Sequence, residues 1–337
     1  MDATTYGVDI AKNVFQIHWV EAASGEICRR KLTRAKFTDF FAKRQPARVV
    51  MEACGGAHHW ARELRALGHC VELLPAHEVR KFVSGNKDDA ADARAIWLAA
   101  QHPDIRRVMP KSAQQQAELS VHRLRSHWMS LRTATINALR SLLYEFGVAM
   151  PKGRAVALRW LAEHRSQLDP QLPPVLASVL DSQLQALHQL DEQLQVLEMH
   201  IEQAQRSNEA AQRLRQVPGI GLLGATALAA TLGDGSAWRN AREFACCLGL
   251  TPRHSGSGGK VRMGGISKRG DAYLRTLLIH GARNLVRCAK PSLWIEQMLR
   301  RRPFNVVATA VAHKLARTAW AMVAHGTAYT PQPQPVV

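Results

Sequence analysis

The chain has 337 residues, enough for two or three domains that each bury a core. A hydrophobic content of 46% excludes a mostly disordered polypeptide, and 45 Lys and Arg against 27 Asp and Glu leave a formal charge of +18, unusual for an enzyme of small neutral metabolites and suited to a polyanion such as nucleic acid. The six cysteines form no CxxC pair, so neither a zinc site nor a disulfide scaffold is indicated and a cytoplasmic setting is expected; neither the start MDATTYGVDI nor Val306–Val323, broken by His313, Lys314 and Arg317, has the pattern of a signal peptide or membrane span.

The first third alternates strand and helix periods. TTYGVDIAKNVFQIHWVEAASGEICRRKLT alternates apolar and polar residues, with breaks at AKN and ASGE, and predicts three short antiparallel strands. KFTDFFAKR follows as a helix, RVVMEA as a buried strand, HHWARELRALG as a helix closed by Gly68, and HCVELLP as another strand. Three antiparallel strands followed by two parallel ones with helices between them is the order of a ribonuclease-H-like α/β sheet.

From about Ala113 to Phe146 the pattern becomes one long helix, with Ala117, Val121, Leu124, Trp128, Leu131, Thr135, Ala138 and Leu142 at alternating intervals of four and three. A second stripe follows the DPQLPP break, at Leu184, Leu187, Leu190, Leu194, Leu197 and Ile201. Such stripes need a partner helix, supplied either within the chain as a helical hairpin or by another copy as a dimerising coiled coil. From near Arg213 the chain stays helical with glycine-rich interruptions, and TPQPQPVV has the composition of a disordered end.

Two carboxylates fall on strands expected to be neighbours. In YGVDIAK, Tyr6, Val8 and Ile10 share one sheet face and leave Asp9 on the other, while Glu52 ends the strand RVVME, about 4.8 Å to the side in the expected order. Asp89 and Asp92, three apart in NKDDAADARAI, share a helix face; Asp88, four before Asp92, is spaced as well for it. Acids at a helix start also serve simply as caps, but with one on each of two adjacent strands the set suits a hard divalent cation, Mg²⁺ or Mn²⁺, acting on a phosphodiester.

LRQVPGIGLLGATALAATLGD reads as helix, Pro-Gly-Ile-Gly turn and second helix, a helix-hairpin-helix pattern in which Gly219 and Gly221 let backbone N–H groups approach a DNA phosphate; a tight turn without a ligand is the plainer alternative. The segment GLTPRHSGSGGKVRMGGISKRGDAYLR reads as a loop. It fails the nucleotide phosphate-loop pattern, because His254 stands where the first glycine is required and Val261 follows Lys260. It offers two candidate nucleophiles, Ser255 and Ser257, flanked by Arg253, Lys260, Arg262, Lys268 and Arg269, although a serine in such a segment often serves only the turn. From Arg253 to Arg302 there are twelve Lys and Arg against two acids, so the phosphate-binding charge is concentrated here.

Taken in order and spacing, YGVDIAK, MEACGG, GNKDDAADARAI, VPGIG, LGLTPR, SGG and GGISKRGDAYLR resemble the DEDD transposases of bacterial insertion sequences, the bridge-RNA-guided serine recombinases, from about Tyr6 to Arg287. The resemblance implies a RuvC-like domain over 1–110, a helical coiled-coil segment over 111–208 and a mainly helical transposase domain over 209–326, with a disordered tail over 327–337. It further implies Asp9, Glu52, Asp89 and Asp92 as the metal-binding acids and Ser257 as the nucleophile that becomes esterified to cleaved double-stranded DNA. A noncoding bridge RNA pairing with donor and target, and a homo-oligomer, dimer or tetramer, whose subunits share active sites, are implied too. Asp88 and Ser255 depart from the family's usual residues. Other readings of the same residues are a junction-resolving nuclease that uses water and a non-catalytic helix-hairpin-helix DNA-binding protein.

Overall fold

The computed structural model describes residues 4–21, 23–83, 89–258, 260–288 and 291–330. The chain forms two compact units, Met1–Gln116 and Ala117–Val337. The first contains β1 (Thr5–Ile10), β2 (Val14–Val20), β3 (Ile27–Thr33), α1 (Arg34–Ala42), β4 (Arg48–Glu52), α2 (Ala57–Ala66), β5 (Cys70–Leu74), α3 (Ala76–Val79) and α4 (Asp89–Ala100). Its sheet runs β3-β2-β1-β4-β5, with β2 antiparallel to β1 and β3, and with β4 parallel to both β1 and β5. The alternation of β1 and the unbroken apolar run of β4 thus produce the strand order expected from the sequence.

Strand parity sorts side chains between two layers. Tyr6, Val8, Val49 and Met51 join Phe15, Phe37, Phe41 and Trp60 in a core beneath α1 and α2, where Phe15 and Phe37 meet edge to face at 4.5 Å between ring centroids. Val50 and Leu74 face the other way, against Ala95, Ile96 and Ala99 of α4. Asp9 and Glu52 have the parity of Gly7 and Val50, so they belong to the α4 side.

Gly7 sets how close α4 lies. A Cβ there would stand 2.6 Å from the Ala93 carbonyl oxygen and 2.7 Å from Trp97 Cβ, inside any tolerable contact. Trp97 Nε1 donates to the Thr5 carbonyl oxygen at 3.1 Å, fixing the same helix to β1. The far end of α4 is held by two guanidinium groups: Arg48 and Arg107 each donate to the Ala100 carbonyl oxygen, at 3.0 and 2.9 Å, and both pair with Glu72. Burial alone would raise the Glu72 pKa, but the hydrogen bonds and charges of Arg48 and Arg107 outweigh it and hold the carboxyl below its ordinary range. Gly7→Val is expected to push α4 off the sheet at a cost on the order of 2–3 kcal/mol. Urea unfolding of the purified chain measures that loss, and an unchanged midpoint would refute the close-packing account.

The helix α5 (Ala113–Tyr144) leads into the second unit, followed by α6 (Arg154–Leu168) and α7 (Pro174–Ser207). Arg125 meets Glu198 at 2.6 Å and Arg132 meets Asp191 at 2.7 Å, so α5 and α7 run antiparallel as a hairpin. The stripe predicted on α7 is its inner face: Leu187, Leu194, Leu197 and Ile201 are buried. The stripe predicted on α5 is not. That helix turns His122, Ile136, Leu139 and Leu143 inward, while Leu124, Leu131 and Leu142 remain 48%, 42% and 39% exposed. Two apolar rows run along α5, and the hairpin uses the other one.

The rest of this unit comprises α8 (Glu209–Arg215), α9 (Leu222–Leu232), α10 (Ala241–Cys247), β6 (Pro252–Ser257), β7 (Lys260–Ile266), α11 (Ala272–Arg287), α12 (Leu293–Leu299) and α13 (Phe304–Ala324). Helices α8 to α13 share one core around Leu228, Phe244, Leu278 and Ala312. His122 links α5 to it through two 3.0 Å hydrogen bonds, to Thr226 on α9 and Tyr273 on α11. Burial, then the charge of Arg125, lowers the His122 pKa to about 4, so the imidazole is neutral at physiological pH. The expectation of a loop between Gly249 and Arg275 is corrected: β6 and β7 pair as an antiparallel ribbon. Among the described residues no helix is long and apolar enough to cross a membrane, and all six cysteines are free. The expected disordered tail lies largely outside the described residues, which end at 330.

Candidate active site

The acids of the first unit are positioned by register. The parallel ladder of β1 and β4 ends with Val8 opposite Met51, and Asp9 and Glu52 occupy the next position on each strand. They therefore stand side by side at the carboxyl ends of two adjacent parallel strands, where ligands of open α/β sheets bind. Asp92 lies in the first turns of α4, the helix that Gly7 admits against β1.

Electrostatics ties the three together. Burial raises the Glu52 pKa, the charge of Asp92 raises it further, and Arg80 opposes them. The Cys54 thiol is pushed up by burial, then by the charges of Glu52 and Asp9. Glu52 thus shares its surroundings with carboxylates from another strand and from a helix, and its ionised form is disfavoured until a cation or a proton relieves it. The donors are all hard oxygens, a set that fits Mg²⁺ or Mn²⁺. Among the described residues no three His, Cys, Asp or Glu side chains already close around one point. Asp89 begins α4, but its side chain and all of Asp88 lie outside the described residues.

In the second unit the turn Val217–Gly221 joins α8 to α9. No side chain caps α9 at Gly221, so its first N–H groups are available to an anion. Gly219 has φ 88° and is pressed against α11, where a Cβ on Gly281 would fall 1.8 Å from the Gly219 carbonyl oxygen. The turn is thereby fixed as a rigid backbone surface lined also by Arg215 and Asn284.

The ribbon carries the serines. Ser255 opposes Arg262 and Ser257 opposes Lys260, across a turn with Gly258 at φ 57°. Positions facing each other in a pleated pair share one side, so both serine positions lie on the ribbon face that carries two cations. The Ser257 side chain lies outside the described residues. Arg253 donates to the Ser267 carbonyl oxygen at 3.1 Å, bracing the ribbon's base, and Lys268 adopts a left-handed φ of 55° with its N–H donating to the Gly249 carbonyl oxygen. Lys260, Arg262, Lys268 and Arg269 are exposed.

Sequence reasoning did not single out Gly7, Cys54 or Arg80 at the acidic site. Only Cys54 left a signal, two residues beyond Glu52. It also missed the grouping of Arg242 and Arg317 around His313 below the ribbon, because its members come from two helices remote in sequence.

Residues 6–147 match the model of the IS110-type DEDD transposase family, and residues 211–294 match that of the IS116/IS110/IS902 transposase family. The chain is similar to a probable family 20 transposase of Pseudomonas aeruginosa, at 46% identity over 98% of this chain and 100% of the relative. It is also similar to the transposase for insertion sequence element IS1328 of Yersinia enterocolitica, at 38% identity over 98% and 99%, and to that for IS1111A of Coxiella burnetii, at 36% over 97% and 92%.

Proposed function

The chain belongs to the IS116/IS110/IS902 family of insertion-sequence transposases, enzymes acting on DNA, and from that premise we propose that it cuts and rejoins strands through a serine ester. The observation that carries the metal half of this reading is the neighbourhood of Asp9, Glu52 and Asp92 around the ends of β1 and β4. These acids, with Asp89, are the residues that would hold Mg²⁺ or Mn²⁺, and such an ion supplies neutralisation of charge gathering on the phosphate oxygens. The sheet order supports a RuvC-like first domain, and α8, the glycine turn and α9 support a helix-hairpin-helix that grips the DNA backbone.

In the reaction, Lys260 and Arg262 bind the phosphate oxygens beside Ser257. The serine oxygen attacks phosphorus, a new ester bond forms, and the bond to the departing deoxyribose oxygen breaks. Serine's proton is lost to solvent while the departing oxygen gains one. One phosphate ester replaces another, so no nucleoside triphosphate is needed, and attack by a hydroxyl of a second strand frees the serine and completes the exchange. Base recognition falls to a noncoding RNA of the element pairing with donor and target, for which the basic stretch from Arg253 to Arg302 supplies backbone contacts.

The test is direct. The protein is incubated with its element's noncoding RNA, both DNA partners and Mg²⁺, denatured and digested with trypsin and then with a nuclease that trims the attached strand. The peptide His254–Lys260 should carry a nucleotide on Ser257. DNA cut with no adduct would indicate water as nucleophile, and an adduct on Ser255 would reassign the role.

Assembly as a homo-oligomer is part of the same reading, with a second copy covering Leu124, Leu131 and Leu142 on α5. Leu131→Glu should weaken self-association at least about 30-fold. Light scattering across a dilution series measures it, and an unaltered mass profile would remove this face from the interface.

A further inference from the structure

Below the ribbon lies an open groove of about 520 Å³ that no step above uses. Its walls come from three places. Arg242 and Cys246 stand one turn apart on α10, and His313 and Arg317 one turn apart on α13, which packs against α10. The ribbon's base supplies Thr251, Pro252, His254 and Met263. Thr251 Oγ1 donates to Cys246 Sγ at 3.5 Å, tying the base to α10.

The chemistry of the lining is lopsided. Two arginines and two histidines contribute, and no carboxylate does. Among the described residues neither Arg242 nor Arg317 has an acidic partner within ion-pair distance. Burial first, then the charges of Arg317 and Arg242, holds the His313 pKa below its ordinary value. Both arginines are exposed, so an anion arriving from solvent can pair with them. Pro252, Met263 and Cys246 give the same groove an apolar wall, for which a bare phosphate ion has no use but a nucleobase does.

We propose that this groove seats one nucleotide turned out of the DNA strand beside the cleavage point, its phosphate on Arg242 and Arg317 and its base against Pro252 and Met263. The inference rests on the transposase reading of the ribbon. His254 and Ser257 are three residues apart on β6, about 10 Å along a strand, and of opposite parity, so the captured nucleotide lies on the ribbon face away from the Ser257 position and the strand between them passes around the ribbon's edge. Gripping a nucleotide there holds the DNA in register with the ribbon, and the cost of unstacking one base favours sites where a base leaves the helix easily.

Cys246 is a built-in reporter, since it is exposed within the groove, and Cys70, exposed in the other unit, is the internal reference. Alkylation of the full chain by iodoacetamide is followed by peptide mapping, with a thymidine tetranucleotide or inorganic phosphate added at equal ionic strength. The tetranucleotide at ten times its dissociation constant should slow Cys246 labelling about tenfold and leave Cys70 unchanged. Phosphate alone should protect far less, and Arg242→Ala/Arg317→Ala should abolish protection without altering the melting curve. Equal labelling with and without tetranucleotide overturns the proposal, as does equal protection by phosphate, which would mean an anion site only. The adduct on Ser257 is read separately. An adduct without Cys246 protection sinks the pocket and spares the transposase mechanism, and protection without an adduct does the reverse.

Discussion

Ser257→Ala should abolish strand exchange and the covalent protein–DNA species together, with a rate loss of about 10⁵- to 10⁶-fold, the scale seen when an enzyme loses its nucleophile. The position closes β6 opposite Lys260, and the described residues of the ribbon from Pro252 to Gly265 are all exposed. Removing one hydroxyl at such a place opens no cavity, so the melting temperature should stay within about a degree or two of the unaltered chain. Ser255→Ala, two residues earlier and opposite Arg262, should cost less than about tenfold, the scale of a lost contact rather than a lost step. DNA binding should survive in both variants, because the cations on the ribbon remain. Gel analysis after denaturation separates adduct from free DNA. If Ser257→Ala still cleaves at an undiminished rate, a water molecule is the nucleophile and the serine mechanism is wrong.

Glu52→Gln should reduce cleavage by about 10³-fold, as for loss of one group that stabilises charge in the transition state, yet make the metal-free protein more resistant to heat at neutral pH. The loss follows from removing a charge that would hold the ion, and the gain from removing a carboxylate that burial, and then Asp92, disfavour. Burial and Asp92 raise the Glu52 pKa above its ordinary value, so the folded chain holds that proton more tightly than the unfolded chain does. The stabilisation linked to the protonated carboxyl is fully present below the unfolded-state pKa of about 4.3. It is lost as pH rises through the higher folded value. The stability gained by Glu52→Gln should therefore be greatest near pH 7 and vanish as pH falls below the ordinary glutamate range. Millimolar Mg²⁺ should stabilise the unaltered chain and narrow the gap. Melting curves at several pH values, with and without the ion, decide the matter. A variant less stable than the parent at pH 7 without metal would mean that Glu52 is not under strain.

Legibility from sequence followed how local each cause was. The sheet order and the facing of Asp9 could be read because strand parity and the unbroken run RVVME depend only on neighbouring residues. The ribbon could not: HSGSGGKVRMGG has few β-branched or aromatic residues and no alternating apolar face, so its pairing comes from a glycine turn and from bracing at the base. On α5 the periodic row was found, but the row that packs is defined by Ile136, Leu139 and Leu143, and spacing cannot tell which of two apolar rows meets α7. The groove under the ribbon was invisible, since each helix contributes one ordinary pair and only their packing joins them. The acids were legible as types and positions, whereas the coupling of Glu52 to Asp92 requires the close approach that Gly7 permits.

The ribbon β6–β7 covers no hydrophobic interior of its own, and a two-stranded element of that sort contributes close to nothing toward holding its own shape. On the serine mechanism proposed above, the nucleophile is therefore held in place only when DNA or a second subunit docks on the ribbon. A chain working that way would carry its cutting edge blunt until the right assembly sharpened it.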